Sequence, residues 1–211
     1  HSPTEDTWHM QFFNDWFFSW LFPSIGTPLP PADYDYAFTQ YPVNGQYWSF
    51  THDSSTVPLQ NITAPYRLYF NTNNRLTTNA GTTTNRVTIR NQVTGGLTME
   101  QAVNEEFTGT EFNRKFKKNQ AVFTSPVLTA DKKWVGIPKV NLDYMSTAST
   151  FTQYNFQVLE VPPKGKEKLI NRINFTDRNY TASSRRQTNF EGQAHAHTFK
   201  KGSKIKIIIT N

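Results

Sequence analysis

Cysteine is absent from the 211 residues. That excludes a disulfide frame, a thiolate metal centre and a thiol nucleophile. Charge is scarce as well: Asp, Glu, Lys and Arg make up 18% of the chain, and apolar residues make up 36%. The remainder is rich in Thr, Asn, Gln and Ser, the residues of exposed strand faces and turns, which favours a β protein over a helical bundle. No apolar run reaches the roughly 18–20 residues that cross a bilayer as a helix. Also missing are a G-x-S-x-G elbow, a glycine-rich phosphate loop and an H-E-x-x-H pair, so a self-contained enzyme of those kinds is excluded. A sandwich of this length folding as one unit is ordinary.

What is present begins with an aromatic opening, HSPTEDTWHMQFFNDWFFSWLFP. Ser2, Pro3 and Glu5 form a capping box with proline at the first helical position, where its missing N–H costs nothing. Trp8, Phe12, Phe13, Trp16, Phe17, Trp20 and Leu21 then recur as one broad helical face, and Pro23 ends the helix. A face this wide requires a large partner surface. The breakers of PSIGTPLPP, residues 23–31, read as a crossing loop.

Beyond that loop the period shortens. Strands are expected in YDYAFTQY (34–41), GQYWSF (45–50), YRLYF (66–70) and NRVTIRNQV (85–93), which alternate or run aromatic between Asn, Gly and Pro turns. TTNAGTTTN and QVTGGLTMEQAVNEEF read as long loops, with one helical turn near Met99–Val103. Five further strands follow in QAVFTSPVL, WVGIPKVNLDYMS, TQYNFQVLEV, EKLINRINFT and SKIKIIITN, at the spacing of a sandwich. No internal repeat is evident.

The formal net charge is +6, with cations clumped at Arg114–Lys118, Lys132–Lys133, Lys164–Lys168 and Arg185–Arg186. Such clumps read first as solvated turns between strands, ahead of a nucleic-acid surface. His195 and His197, two apart in AHAH, would share one strand face and could grip a metal, but no third ligand is apparent; a strand edge with two half-buried rings is the expectation. His9 lies on the flank of the helical face and His52 in a turn, neither with a partner by sequence. Asp33 and Asp35 share a strand face, and Glu105 and Glu106 fall in a loop, without forming a clear acid–base pair. Sequons at Asn61, Asn174 and Asn179 matter only in a eukaryotic secretory protein.

The second half carries a pattern of specific order. AVFTSPVLTADKKWVGIPKVNLDYMSTASTFTQYNFQVLEV, then LINRINFTDRNY with its Arg and Tyr, then AHAHTFKKGSKIKIIIT resemble the C-terminal jelly-roll domain of the Xaa-Pro dipeptidyl-peptidase and cocaine esterase family. QFFNDWFFSWLFPSIG resembles the helix that, in this family, follows the catalytic His of an α/β-hydrolase domain and leads across to the jelly roll. Together these segments cover most of residues 8–22 and 121–211.

The resemblance implies a mainly β, jelly-roll β-sandwich related to galactose-binding-like domains, preceded by one amphipathic helix. Residues 1–22 would belong to or pack on an α/β-hydrolase domain, and residues 23–211 would form the sandwich, cut short at its C-terminal end. The parent would be a serine hydrolase of peptides or esters. Its nucleophile and Asp would lie before residue 1, and His1 stands where the general base is expected, with His9 as the substitute. The implied partners are that hydrolase domain and a peptide or ester substrate, with no nucleic acid, cofactor or metal; self-association is left open. Composition fits a secreted or periplasmic bacterial protein, though it does not fix the compartment. The rival reading is a carbohydrate-binding or adhesion module with Trp48 and Trp134 as stacking platforms.

Overall fold

A computed structural model describes residues 3–22, 34–40, 49–82, 86–90, 120–148 and 150–210. The chain is mainly β and divides into two compact units. The larger unit comprises residues 66–132, 137–194 and 199–211. Its centre is a sheet ordered β3 (Tyr69–Asn71), β4 (Arg75–Thr77), β5 (Gln120–Thr124), β12 (Lys204–Thr210), β8 (Thr152–Val161), β9 (Lys168–Asp177). β12 pairs antiparallel with β5 and with β8, and β8 pairs antiparallel with β9. The run KIKIIIT therefore occupies a central strand, which is where an almost unbroken β-branched sequence belongs.

Register places Ala121 opposite Ile209 and Phe123 opposite Ile207. Across β12, Ile209 faces Phe156 and Ile207 faces Val158, so these side chains share one face of the sheet. The second layer is the antiparallel pair β7 (Lys139–Tyr144) and β10 (Arg186–Glu191). Rings from the two layers interlock. Phe190 of β10 stacks on Phe175 at 4.8 Å and meets Phe156 at 5.6 Å, while Tyr144 of β7 meets Tyr154 edge-on at 5.4 Å. Phe156, only 1% exposed, sits at the middle of this core. Two sheets with interdigitating inner faces make a β-sandwich, as expected.

The smaller unit comprises residues 1–65, 133–136 and 195–198. It holds α1 (Pro3–Leu21), the antiparallel pair β1 (Tyr34–Gln40) and β2 (Ser49–Ser55), the short α2 (Leu59–Ile62), and most of the pair β6 (Lys132–Gly136) with β11 (His195–Phe199). Within it, Phe38 is buried and Lys133 places its ammonium 5.0 Å from the Phe38 ring centre.

Four expectations need correction. Residues 86–90, read as part of a strand, have no regular structure and are mostly exposed, so alternation without a burying partner does not make a strand there. His52, read as a turn residue, lies inside β2 opposite Ala37. WVGIPKVNLDYMS is two strands, because Gly136 adopts a φ of +130° and Pro138 lacks an N–H for a ladder. β10 was not expected at all. The helical turn near Met99–Val103, Trp48, Asp33, Glu105 and Glu106 lie outside the described residues.

Candidate functional site

Three groups of side chains carry candidate chemistry. The first is α1. Proline opens it at Pro3, and the helix runs 19 residues to Leu21. Its rings pair along i, i+4 rows: Trp8 stacks on Phe12 at 5.2 Å, Phe13 on Phe17 at 5.6 Å, Trp16 meets Trp20 at 6.1 Å, and Phe18 meets Phe22 at 5.7 Å. The aromatic face is wider than expected, since these rows, with Met10 and Leu21, reach well round the helix. Most of this surface is left open by the described chain: Trp20 is 62% exposed, Phe13 56%, Trp16 51% and Phe18 43%, whereas Trp8 is half-buried. A helix with this much apolar surface is a helix made to be largely buried, with Asp6, Gln11, Asn14 and Asp15 as its polar positions.

The second group lies on β6 and β11. Trp134 and His195 are 5.6 Å apart between ring centres, and His195 and His197 are 6.4 Å apart. His195 is half-buried, as expected, whereas His197 is fully buried. Burial, and secondarily the neighbouring His197, push the His195 imidazole below its ordinary pKa. Among the described residues no three His, Cys, Asp or Glu side chains come together as a metal site. Trp134 is half-buried and engaged with His195, which is poor geometry for a free stacking platform.

The third group is not expected from the sequence as a unit: Tyr180 is noted there in the family pattern, but Arg186 only as part of a solvated cation clump. In the sandwich, Tyr144 donates to Asp177 Oδ2 at 2.7 Å, and Arg186 Nη1 donates to the same oxygen at 2.7 Å. The Asn179 N–H donates to Asp177 Oδ1 at 3.1 Å, and Arg186 Nη2 donates to the Asn179 carbonyl at 2.8 Å. Tyr180 accepts from the Ser146 N–H at 2.7 Å and donates to the Ser184 carbonyl. Desolvation, with the Asp177 hydrogen bond and charge, pushes the Tyr144 phenol up to about 12. The Tyr144 hydroxyl, first among its causes, holds the Asp177 carboxyl below the usual carboxylate range. Every oxygen named here is already bonded, so the cluster fastens a loop. The signal that could have revealed it is the Asp-x-Asn-Tyr turn followed by paired arginines.

Of the predicted site residues, His1 lies outside the described residues. His9 is exposed on α1, edge-on to Trp8 at 5.0 Å. Asp35 and His52 fall on β1 and β2, but their side chains are outside the described part.

Residues 26–210 match the model of the X-Pro dipeptidyl-peptidase C-terminal non-catalytic domain, and the chain belongs to that family. The match also takes in residues 26–120, where the sequence reading found no likeness, and it excludes α1. Among solved structures, the fold is shared with an aminopeptidase from the marine sediment archaeon Thaumarchaeota archaeon (TM-score 0.63, 11% identity, covering 100% of this chain and 38% of that one). It is shared also with a CocE/NonD family hydrolase from Staphylococcus aureus (TM-score 0.56, 13% identity, 95% of this chain and 37% of that one). An alpha-amino acid ester hydrolase gives a TM-score of 0.50 at 14% identity, over 69% of this chain and 28% of that one. The chain thus spans well under half the length of these proteins. No curated protein matches it significantly. No helix among the described residues is long and apolar enough to cross a membrane.

Proposed function

We propose that the chain is the C-terminal β-sandwich portion of a serine hydrolase acting on peptides or esters, and that it shapes the substrate pocket and the interface with an α/β-hydrolase domain. Residues 1–22 belong to that interface and residues 23–211 to the sandwich. The hydrolase domain supplies the serine nucleophile, the Asp and the oxyanion hole, and His1 is the candidate general base that takes the serine proton. The observation that carries this reading is α1, whose rings are sized for a large apolar partner and lie open to solvent in the chain alone.

The test compares the chain alone with the chain joined at its N-terminal side to a hydrolase domain of this family. The chain alone is expected to turn over no p-nitrophenyl ester, and the joined protein to do so. Phe13→Asp and Trp16→Asp in the joined protein are expected to reduce kcat/KM at least tenfold and to split its thermal transition in two. Turnover by the chain alone, or unchanged activity and one unchanged transition in both variants, would overturn the proposal.

A further inference from the structure

Residues 1–66 contain no Lys or Arg and six carboxylates, so all 22 cations of the chain lie from Arg67 onwards. Within the sandwich unit, Lys164, Lys166, Lys200, Lys201 and Lys204 gather at one end. The turn joining β11 to β12 is fastened to the loop after β5 by the Leu128 N–H to the Ser203 carbonyl and the Gly202 N–H to the Leu128 carbonyl, both at 2.8 Å. The same turn lies against the β8–β9 turn, because a Cβ on Gly202 would stand 3.5 Å from Pro163 Cγ, and Lys204 is paired with Val161.

The carboxylates at this end are consumed internally. Asp131 accepts from the Lys201 N–H at 2.7 Å and from Lys200 Nζ at 3.0 Å. Glu160, itself buried, accepts from the Lys200 N–H at 2.9 Å, and Glu167 holds Lys206 Nζ at 2.9 Å. Lys164, Lys166, Lys201 and Lys204 are exposed and make no ion pair among the described residues. Beside them Val127 is 52% exposed and Pro163 is exposed.

We infer that this end of the sandwich rests on an anionic lipid surface, with Lys164, Lys166, Lys201 and Lys204 against the headgroups and Val127 dipping into the interface. Four independent ammonium groups, three on turns and one at the start of β12, suit a diffuse plane of negative charge. Bidentate reading of phosphates or base edges in nucleic acid draws on arginine, and none of the four is arginine. The exposed apolar tips find a favourable environment at the boundary of headgroup and acyl chain.

The experiment is co-sedimentation of the full chain with vesicles of phosphatidylcholine alone or with 30% phosphatidylglycerol. The contact is read as the difference between the two, since the apolar rows of α1 adsorb to either. Each lysine near an anionic leaflet strengthens binding about fivefold, so the variant with all four lysines changed to Glu is expected to lose at least about 100-fold of the anionic preference. The preference is also expected to fall steeply with salt. A control in which exposed Arg67, Arg86, Arg90 and Arg178 are changed to Glu carries the same charge and is expected to keep most of it. Near-UV circular dichroism verifies folding. Should the quadruple variant not fold, Lys201→Glu and Lys164→Glu alone are each expected to cost about fivefold or more. Equal loss in patch and control variants, no preference for anionic vesicles, or tighter binding to single-stranded DNA or heparin than to anionic vesicles would each overturn the inference.

Discussion

Tyr180 shows how a single hydroxyl holds two segments of the sandwich together. It is 3% exposed, and its oxygen both receives the Ser146 N–H and donates to the Ser184 carbonyl. Tyr180→Phe leaves a half-buried N–H and a carbonyl without that partner, and is expected to cost about 1–2 kcal/mol in urea unfolding with an unchanged m-value. His195 acts in the opposite sense. Its folded pKa lies below the unfolded value near 6.5, so the unfolded chain takes up the proton first, and stability falls as pH drops through about 6.5 towards the folded pKa. Asp131, Asp143 and Asp177 have depressed folded pKa values, and their contributions are lost only as pH falls below their ordinary value of 3.8. Melting curves between pH 7.5 and 5.5 should therefore show a decline that His195→Gln flattens. A decline of the same size in that variant would assign the effect elsewhere.

Among the elements, β8, β9 and β12 were readable because each has a long apolar or aromatic alternation bounded by turn residues, and burial on the sheet rewards that pattern. β10 was not, because RQTNFE puts Arg186, Thr188 and Phe190 on its half-buried positions, and only Phe190 announces a core. Its place is set instead by long-range pairing to β7 and by the ring stack with Phe175, neither of which has a local signature. The break between β6 and β7 was written in Gly136 and Pro138, but each is tolerated at a strand edge, so the pattern alone did not require two strands. The segment after β10 depends on a close approach of the same kind. A Cβ on Gly192 would lie 2.8 Å from Ile173 Cγ1 and 2.9 Å from Pro138 Cγ. Gly192→Ala is expected to destabilise by about 1–3 kcal/mol through overpacking, checked by chemical denaturation. An alanine variant as stable as the parent would show that β9 and the β6–β7 link yield at no cost.

At the scale of the whole molecule, the sandwich half of the family likeness was legible because strand order and turn chemistry survive in the sequence. The helix was legible too, as a broad aromatic face in need of a large partner surface, but its degree of exposure was not: nothing in Trp16 or Trp20 tells from sequence whether the chain's own sheets cover them. Composition and helical period point to burial, and only the fold shows those rings to be 51% and 62% exposed. Two consequences follow that separate a surface made for a partner from a core residue. Side chains that the chain leaves so exposed contribute little to its own folding, so Trp16→Ser and Trp20→Ser should each change the unfolding free energy by no more than about 0.5 kcal/mol. The same changes remove much of a contiguous apolar surface, so the double variant should scatter less light at high concentration and bind less of a hydrophobic dye than the parent. If instead either change cost several kcal/mol, of the order expected for a buried tryptophan, α1 would belong to this chain's own core, and a docking role for it would have no physical basis.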